Sequence, residues 1–302
     1  MLNLKKFKSR LSSKFQAWFH ASANGSKMQY LQETVRLQRV SNEYLMSLLL
    51  AGQSIHPNPL LQFGKKYFSQ ADEDGILEEI LCRIGRSSGT CVEIGAGDGL
   101  ENNTLALVAS GWCGVWIDAQ SLAYDPRCNP HLLTFLNCFI TRGNVVETVR
   151  SGLEKLGKSE FEVLSIDIDG NDGYIAESLL QAGFKPDVIV IETNEIIPPP
   201  IEFCLPYESE YVWDKSKNNG WSLQSLDLIL KPFGYFCVAC NLQTGVNAFF
   251  VKQQFEPNFG DVPRDLKQIY VGRSVHPFKY KDHRTEVNPQ LIEAIIRNAK
   301  RR

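Results

Sequence analysis

Short apolar segments that recur after residue 69 constrain the fold of this 302-residue chain more than any other feature of its sequence. Helical or loop segments separate the first five, and a polar stretch at 241–245 joins the last two as a hairpin. Strands that alternate with helices build parallel sheets, so we predict an α/β fold with a doubly wound, mostly parallel sheet. The predicted strands are residues 91–94, 113–118, 133–140, 163–168, 188–192, 235–240 and 248–251.

Composition places the chain among ordinary globular proteins that bury a core of their own. Hydrophobic residues make up 43% of it and charged residues 22%. The formal net charge of −2 argues against a nucleic-acid partner for the whole molecule. Cys237 and Cys240 form a C-x-x-C inside an apolar run, without the second pair of cysteines or histidines that a zinc site needs. We therefore expect buried, reduced thiols and a cytoplasmic location.

The first 32 residues differ in charge from the rest of the chain. They contain six lysines and arginines and no acid, and apolar residues recur at three- and four-residue steps within 1–20. This pattern predicts a basic amphipathic helix at 1–20, followed by a second helix over about 28–50. Two uses fit the first helix: peripheral contact with an anionic inner membrane surface, or docking on its own domain or on a second copy in a homo-oligomer. No stretch of the sequence is long and apolar enough to span a bilayer.

A glycine-rich segment follows the first predicted strand, with the sequence E-I-G-A-G-D-G at 93–99. In an open parallel sheet ligands bind beyond the carboxyl ends of the strands, where glycines let the backbone turn tightly and approach a ligand. Leu100 occupies the third glycine position of the dinucleotide pattern G-x-G-x-x-G, so the spacing disfavours a pyrophosphate. It suits a ligand without phosphates, such as S-adenosylmethionine. Asp118 ends the second strand, where an acid can accept both ribose hydroxyls.

Several further motifs occur in order across residues 69–252, and with the glycine-rich segment they make the chain resemble a known family. They are S-Q-A-D-E-D-G at 69–75, V-E-I-G-A-G-D-G at 92–99, E-N-N-T at 101–104, G-W-C-G-V-W-I-D at 111–118, S-I-D-I-D-G-N-D at 165–172 and N-A-F-F-V at 247–251. The chain resembles class I S-adenosylmethionine-dependent methyltransferases and, more narrowly, those of FkbM type. The resemblance implies a Rossmann-like, seven-stranded sheet whose last strand is antiparallel, and methyl transfer, usually to a hydroxyl oxygen.

The resemblance also implies a domain organisation and a set of cofactor-binding residues. A methyltransferase domain would span 66–255, between an N-terminal helical extension at 1–65 and a C-terminal extension at 256–302. Asp118 would bind the ribose, and Asn144, after the third strand, would lie near the adenine. The methionine end of the cofactor would be lined by Glu93, Gly95, Gly97 and Asp98.

Polar side chains also follow the fourth and fifth predicted strands. Asp167 and Asp169 are two residues apart, and side chains alternate along a strand, so we expect both on one face. The same argument applies to Glu192 and Asn194. Adjacent parallel strands would bring these four residues together at the ligand-binding edge. Carboxylates buried together need a partner, a proton or a cation.

Three interpretations of this predicted cluster remain open. Mg²⁺ prefers oxygen ligands, so Asp167, Asp169, Glu192 and Asn194 could hold it together with substrate oxygens. Without a metal, Asp169 or Glu192 would act as general base, and Asp167 would bind the substrate or the methionine ammonium. The third interpretation is a set of hydrogen-bonded structural acids. His276 and His283, in the C-terminal segment, are further candidates for the base.

The segment 196–219, after the fifth strand, combines three prolines with aromatic and acidic residues. Tyr207, Tyr211 and Trp213 alternate with Glu208, Glu210 and Asp214, a pattern typical of sugar or polyol binding, although a packed surface loop would also explain it. We therefore predict an O-methyltransferase that acts on a hydroxyl of a sugar, glycan or other small hydroxylated metabolite. The alternatives are a catalytically silent binding or scaffold protein of the same fold and a nicotinamide-dependent oxidoreductase.

Overall fold

The computed structural model describes residues 33–38, 40, 41, 51, 53, 55–124, 130–216 and 218–272. The chain divides into two compact units, Met1–Gly52 and Gln53–Arg302. In the first, residues 33–38 are helical, and Val35 and Leu37 on this helix are exposed. The amphipathic helix predicted at 1–20 and the two histidines at 276 and 283 lie outside the described residues. Within the described part of the chain, no helix has the length and apolar character needed to cross a membrane.

The second unit is built on one seven-stranded sheet in the order β3-β2-β1-β4-β5-β7-β6. Strands β1 to β5 pair in parallel, whereas β7 runs antiparallel to both β5 and β6. The predicted Rossmann-like α/β sheet with an antiparallel last strand is therefore confirmed. The strands are β1 Thr90–Ile94, β2 Cys113–Asp118, β3 Leu133–Asn137, β4 Val163–Ile166, β5 Val188–Glu192, β6 Tyr235–Cys240 and β7 Asn247–Lys252.

Helices cover the sheet, and its central strands are mostly apolar. Every residue of β1 and β4 is buried, as expected for parallel strands that are packed on both faces. Residues 145, 149 and 153 repeat at helical spacing and form the buried stripe of α3. The helices are α1 Glu73–Arg83, α2 Leu105–Ala109, α3 Val145–Lys155, α4 Asp172–Gln181, α5 Leu223–Leu230 and α6 Leu266–Ile269, with short 3-10 turns at Pro59–Phe63, Lys231–Phe233 and Gln253–Phe259.

Two predicted strands, 133–140 and 163–168, are too long. Strand β3 ends at Asn137, whose side-chain amide donates to the carbonyl oxygens of residues 118, 119 and 120 and fastens the strand end to its neighbour. Strand β4 ends at Ile166, and Asp169 then adopts a left-handed φ of 64° that turns the backbone away from the sheet. Both corrections concern the carboxyl edge of the sheet, where the site residues lie.

The acidic residues that open α1 also tie this helix to the turn between β6 and β7. Asp72 is fully buried and accepts hydrogen bonds from the backbone N–H groups of Leu242 and Gln243, both at 3.0 Å. Glu73 accepts from the side-chain amides of Asn241 and Asn247. Because each buried acid receives several donors, these contacts fix the antiparallel hairpin beside the carboxyl end of β5.

Candidate functional site

The glycine-rich segment after β1 turns back on itself through left-handed backbone at Gly95, Gly97 and Gly99. A Cβ atom at Gly95 would lie 1.7 Å from the carbonyl oxygen of Asp167, so close packing against the loop after β4 requires glycine there. At Gly97, with φ of 54°, a Cβ would meet nothing within 4 Å. The space in front of Gly97 is therefore open to a ligand.

Helix α2 begins at Leu105, well after the glycine-rich turn has ended at Gly99. A dinucleotide site places the pyrophosphate at the N-terminus of a helix that starts directly at the glycines. No helix N-terminus lies at the turn here, so the turn matches a ligand without phosphates better than a nicotinamide dinucleotide.

Asp118 ends β2 beside the open face of the glycine turn. Its Oδ2 accepts a hydrogen bond from the Gly97 N–H at 2.7 Å, and its Oδ1 accepts from the Gln120 N–H at 2.6 Å. A carboxylate oxygen has two lone pairs, so each oxygen keeps one for a ligand hydroxyl. Asp98, in the turn itself, accepts from the Leu100 N–H at 3.0 Å. Asp118 thus lies beside the open space at Gly97, and Asp98 follows Gly97 in the chain.

Two of the predicted cofactor residues instead make contacts within the protein. The buried carboxylate of Glu93 accepts from the N–H groups of Asn103 and Thr104, at 2.8 and 3.0 Å, and from the Thr104 hydroxyl. Burial raises the pKa of Glu93 to about 7, although these hydrogen bonds oppose the shift. The side chain of Asn144 donates to the Phe139 carbonyl and accepts from the Thr141 N–H. Glu93 thus holds the start of α2, and Asn144 holds the turn before α3.

Asp167, Asp169 and Glu192 come together at the carboxyl edge of β4 and β5. One oxygen from each lies within 4.8 Å of the other two, and all three side chains are half-buried. The Asp169 N–H also donates to Glu192 Oε2 at 3.0 Å. The three acids come together as the sequence predicted, but the backbone geometry that brings the two aspartates together is different. Because β4 ends before Asp167, the left-handed turn at Asp169, and not alternation along a strand, brings the two aspartates together.

A fourth carboxyl, Asp172, belongs to the same region and was missed by the sequence analysis. It is the first residue of α4 and fully buried; its Oδ1 accepts from the Ile168 N–H at 2.9 Å, whereas its Oδ2 has no hydrogen-bond partner. An acid that opens a helix ordinarily indicates helix capping, which is why the sequence alone gave it no role. Its position in the sequence, three residues after Asp169, could have indicated that it belongs to this cluster.

Burial perturbs all four of these carboxyls, and repulsion by neighbouring acids adds to it at Asp167, Asp172 and Glu192. Burial is the largest cause at each, and it raises the pKa of Asp167 to about 8 and that of Asp172 to about 7. The pKa values of Glu192 and Asp169 are also raised. No ion pair joins any of the four to a lysine or arginine within the part of the chain that the structure describes. A cationic ligand would supply the missing positive charge.

Asn194, the fourth residue of the predicted metal-binding set, is directed toward another part of the chain. Its Nδ2 donates to the backbone carbonyl and the side-chain oxygen of Asn219, at 2.9 and 3.1 Å. Its Oδ1 accepts from the Ile196 N–H at 3.2 Å. Asn194 therefore anchors both ends of the 196–219 segment.

The 196–219 segment packs against the start of α4, directly beside the carboxyls. Asn171 donates to the Glu208 carbonyl at 2.7 Å, and the Tyr174 hydroxyl donates to the Leu205 carbonyl at 2.9 Å. The ring of Tyr211 lies on Gly170, where a Cβ would approach its Cε1 to 2.4 Å. The Tyr211 hydroxyl is buried without a partner, and burial together with nearby acids, among them Asp214, raises its pKa to about 12.

This segment lines a cavity of about 660 Å³ that is open to solvent. Of the predicted acceptor-binding residues, both tyrosines and all three acids line it, whereas Trp213 does not and donates instead to the Ser216 carbonyl at 2.7 Å. The lining residues are Leu205, Pro206, Tyr207, Glu208, Glu210, Tyr211, Val212, Asp214 and Asn218. Tyr211 borders both the cavity and Gly170, so the cavity adjoins the carboxyl cluster.

No model of a known protein family matches the chain, and no curated protein matches it. Among solved structures, the 1,6-didemethyltoxoflavin N1-methyltransferase of Burkholderia thailandensis, with bound S-adenosylhomocysteine, is 13% identical over 58% of this chain and 73% of that one, with a TM-score of 0.36. An O-methyltransferase family protein of the same organism is 10% identical over 54% and 50%, with a TM-score of 0.34. A candidate hemolysin of Lactococcus lactis is 14% identical over 62% and 90%, with a TM-score of 0.38. These are likenesses of fold, and the function proposed below rests on the residues of this chain.

Proposed function

We propose that the chain is an S-adenosylmethionine-dependent methyltransferase of FkbM type, which transfers the methyl group to a hydroxyl oxygen of a small acceptor such as a sugar. One observation carries the proposal. The open glycine turn with Asp118 beside it shares a sheet edge with four carboxyls that have no cationic partner among the described residues. The sulfonium and ammonium groups of the cofactor would supply that positive charge.

The geometry suggests how the cofactor binds. Its ribose hydroxyls would donate to Asp118, and its methionine end would pass Gly97 toward the carboxyls, where Asp167 would accept from the ammonium. A cation beside Asp167 would favour the ionised carboxylate and lower its pKa, so cofactor binding at pH 7 would release a proton. Asp169 and Glu192 would then lie next to the reacting methyl group.

Methyl transfer from a sulfonium is an in-line displacement. The acceptor oxygen forms a bond to the methyl carbon, the carbon–sulfur bond breaks, and its electron pair neutralises the sulfur. The cofactor is already activated, so the protein contributes alignment and a base for the hydroxyl proton. Asp169 and Glu192 fit the base, because their raised pKa values bring proton affinity closer to neutral pH.

Magnesium is the alternative to a carboxylate base. Oxygen atoms of Asp167, Asp169 and Glu192 within 4.8 Å of one another suit a hard cation with oxygen ligands. The ion, when bound, would hold the acceptor hydroxyl and lower its pKa. Loss of methyl transfer in EDTA, restored by Mg²⁺, would favour this version, and an unchanged rate would favour the carboxylate base.

Binding of S-adenosylhomocysteine tests the proposal, with two matched glycine variants. Gly97 and Gly157 both have left-handed backbone, with φ of 54° and 66°, and a Cβ at either would meet nothing within 4 Å. Arginine therefore strains the backbone to a similar extent at both, but only Gly97 faces the proposed cofactor. We expect calorimetry to show binding by wild type and Gly157→Arg and none by Gly97→Arg.

Absence of binding by the wild type, or equal loss in both variants, would overturn the proposed cofactor site. Binding without transfer of a labelled methyl group to any hydroxylated acceptor would favour the silent scaffold protein. Binding of NADH in place of S-adenosylhomocysteine would favour the oxidoreductase.

A further inference from the structure

We propose that the acceptor is a cation: a hydroxyl compound that also carries a protonated amine, such as an amino sugar or an amino alcohol. The proposal rests on the proposed methyltransferase function and narrows its substrate class. The cavity lined by Tyr207, Tyr211 and the three acids, beside the carboxyl cluster, would bind the ammonium group of this acceptor.

The charge of the cavity is the first argument. Glu208, Glu210 and Asp214 line it, and its described lining contains no lysine or arginine. Among the described residues, none of these three acids forms an ion pair with a cation. All three acids are exposed and hydrated, so they need no partner, but their combined charge attracts an ammonium group and gives no such attraction to a neutral sugar.

The aromatic side chains of the cavity are the second argument. Tyr207 and Tyr211 both line it, and the face of a tyrosine ring attracts a cation electrostatically. The guanidinium of Arg142 already lies 5.8 Å from the centroid of the Tyr207 ring. Its charge is balanced by Glu177, at 3.1 Å, so it does not neutralise the cavity acids. Acidic and aromatic groups together attract the ammonium group of a small hydroxyl compound.

Two buried polar atoms lack hydrogen-bond partners in this region, one on the cavity residue Tyr211 and the other on Asp172 of the carboxyl cluster. The Tyr211 hydroxyl and Asp172 Oδ2 are both buried and have no hydrogen-bond partner, and Asp172 is fully buried. Tyr211 lies on Gly170, next to Asp169 in the chain. Buried polar groups without partners are costly, and a bound ligand is one way to satisfy them. An acceptor whose ammonium lies among the cavity acids could thus place a hydroxyl toward Asp169 and Glu192.

The test compares three probes that share a skeleton and differ in charge. The full-length chain is first titrated with S-adenosylhomocysteine and then, saturated with it, with D-glucosamine, N-acetyl-D-glucosamine or D-glucose. Calorimetry at low salt, near pH 6.5, keeps the amine protonated and limits screening of the cavity charge. We expect D-glucosamine to bind at least about tenfold more tightly than either neutral probe.

Two matched double variants test whether the cavity acids cause the preference for glucosamine. Glu210→Gln/Asp214→Asn removes two cavity charges and should reduce the preference for glucosamine at least about threefold. Glu154→Gln/Glu160→Gln removes the same charge from exposed positions outside the cavity lining and should leave it unchanged.

Three outcomes would overturn the inference: no binding of glucosamine, equally tight binding of a neutral probe, or a preference that survives in the cavity variant. Failure to bind S-adenosylhomocysteine in the first titration would refute the proposed function. If S-adenosylhomocysteine binds but glucosamine binds no more tightly than the neutral sugars, only the inference of a cationic acceptor is refuted.

Discussion

Replacement of Asp167 with asparagine is expected to stabilise the folded chain at alkaline pH, even though it removes a residue of the proposed site. Burial, and repulsion by Asp172 and Asp169, raise the pKa of Asp167 from 3.8 to about 8. A carboxyl with a raised pKa binds more protons in the folded than in the unfolded state. Its cost to stability is therefore absent below pH 3.8, grows as the pH rises, and levels off above about pH 8. Asparagine has a similar shape and no charge, so it removes this cost.

The magnitude follows from the size of the shift. A change of about four units at ~1.36 kcal/mol per unit sets an upper limit of about 6 kcal/mol. Asp167 is half-buried and shares its repulsion with neighbours that also bind protons, so we expect roughly 2–3 kcal/mol at alkaline pH. For a chain of this size, such a gain raises the Tm by roughly 4–10 °C.

Urea and thermal unfolding of the wild type and of Asp167→Asn would be compared between about pH 5 and pH 9, without cofactor and in EDTA. The free energy of unfolding of Asp167→Asn should exceed that of the wild type by less than about 1 kcal/mol near pH 5, and the excess should grow toward pH 9. Asp261→Asn is the control, because a hydrogen bond from Arg83 lowers the pKa of Asp261 and reverses the sign. The reasoning would be refuted if the extra stability of Asp167→Asn did not grow with pH. It would also be refuted if the stability of Asp261→Asn relative to the wild type grew with pH in the same way.

Three further predictions concern the candidate site, and a fourth concerns the basic N-terminal segment. Asp118→Asn should weaken S-adenosylhomocysteine binding by about tenfold in calorimetry, because one carboxylate acceptor for the ribose becomes a donor; unchanged affinity would remove the ribose role. Asn171→Ala should lower the free energy of unfolding by about 1–2 kcal/mol in urea, since the Glu208 carbonyl loses its donor. If Asp169 is the base, the transfer rate should rise with pH through its raised pKa, because only the ionised carboxylate accepts a proton; a rate that does not rise at any pH above the ordinary value of 3.8 would contradict this role. If the basic segment contacts a membrane and is not docked on protein, deletion of residues 1–27 should reduce co-sedimentation with anionic vesicles at least about threefold, and equal sedimentation of both chains would exclude membrane contact through this segment.

The sequence by itself determined the sheet and the edge that carries the candidate site. Strands covered on both faces are mostly apolar, so β1 and β4 could be recognised without knowledge of their neighbours. The glycine turn at 95–99 and Asp118 could be recognised because their roles depend on local backbone and on position at a strand end. The acids at 167, 169 and 192 could be placed together because the carboxyl ends of parallel strands share one edge.

Only the tertiary structure decided which polar groups are free to act. Glu93 and Asn144 look like ligand-binding residues in sequence, but both make hydrogen bonds within the protein, Glu93 with residues 103 and 104 and Asn144 with residues 139 and 141 of its own turn. Asp172 looks like a helix cap, yet the fold buries it and leaves one of its oxygens without a partner. Tyr211, far along the chain, is brought onto Gly170 beside the acids. Hydrogen-bond partners, burial and charge balance depend on residues distant in sequence, and folding alone brings those residues together.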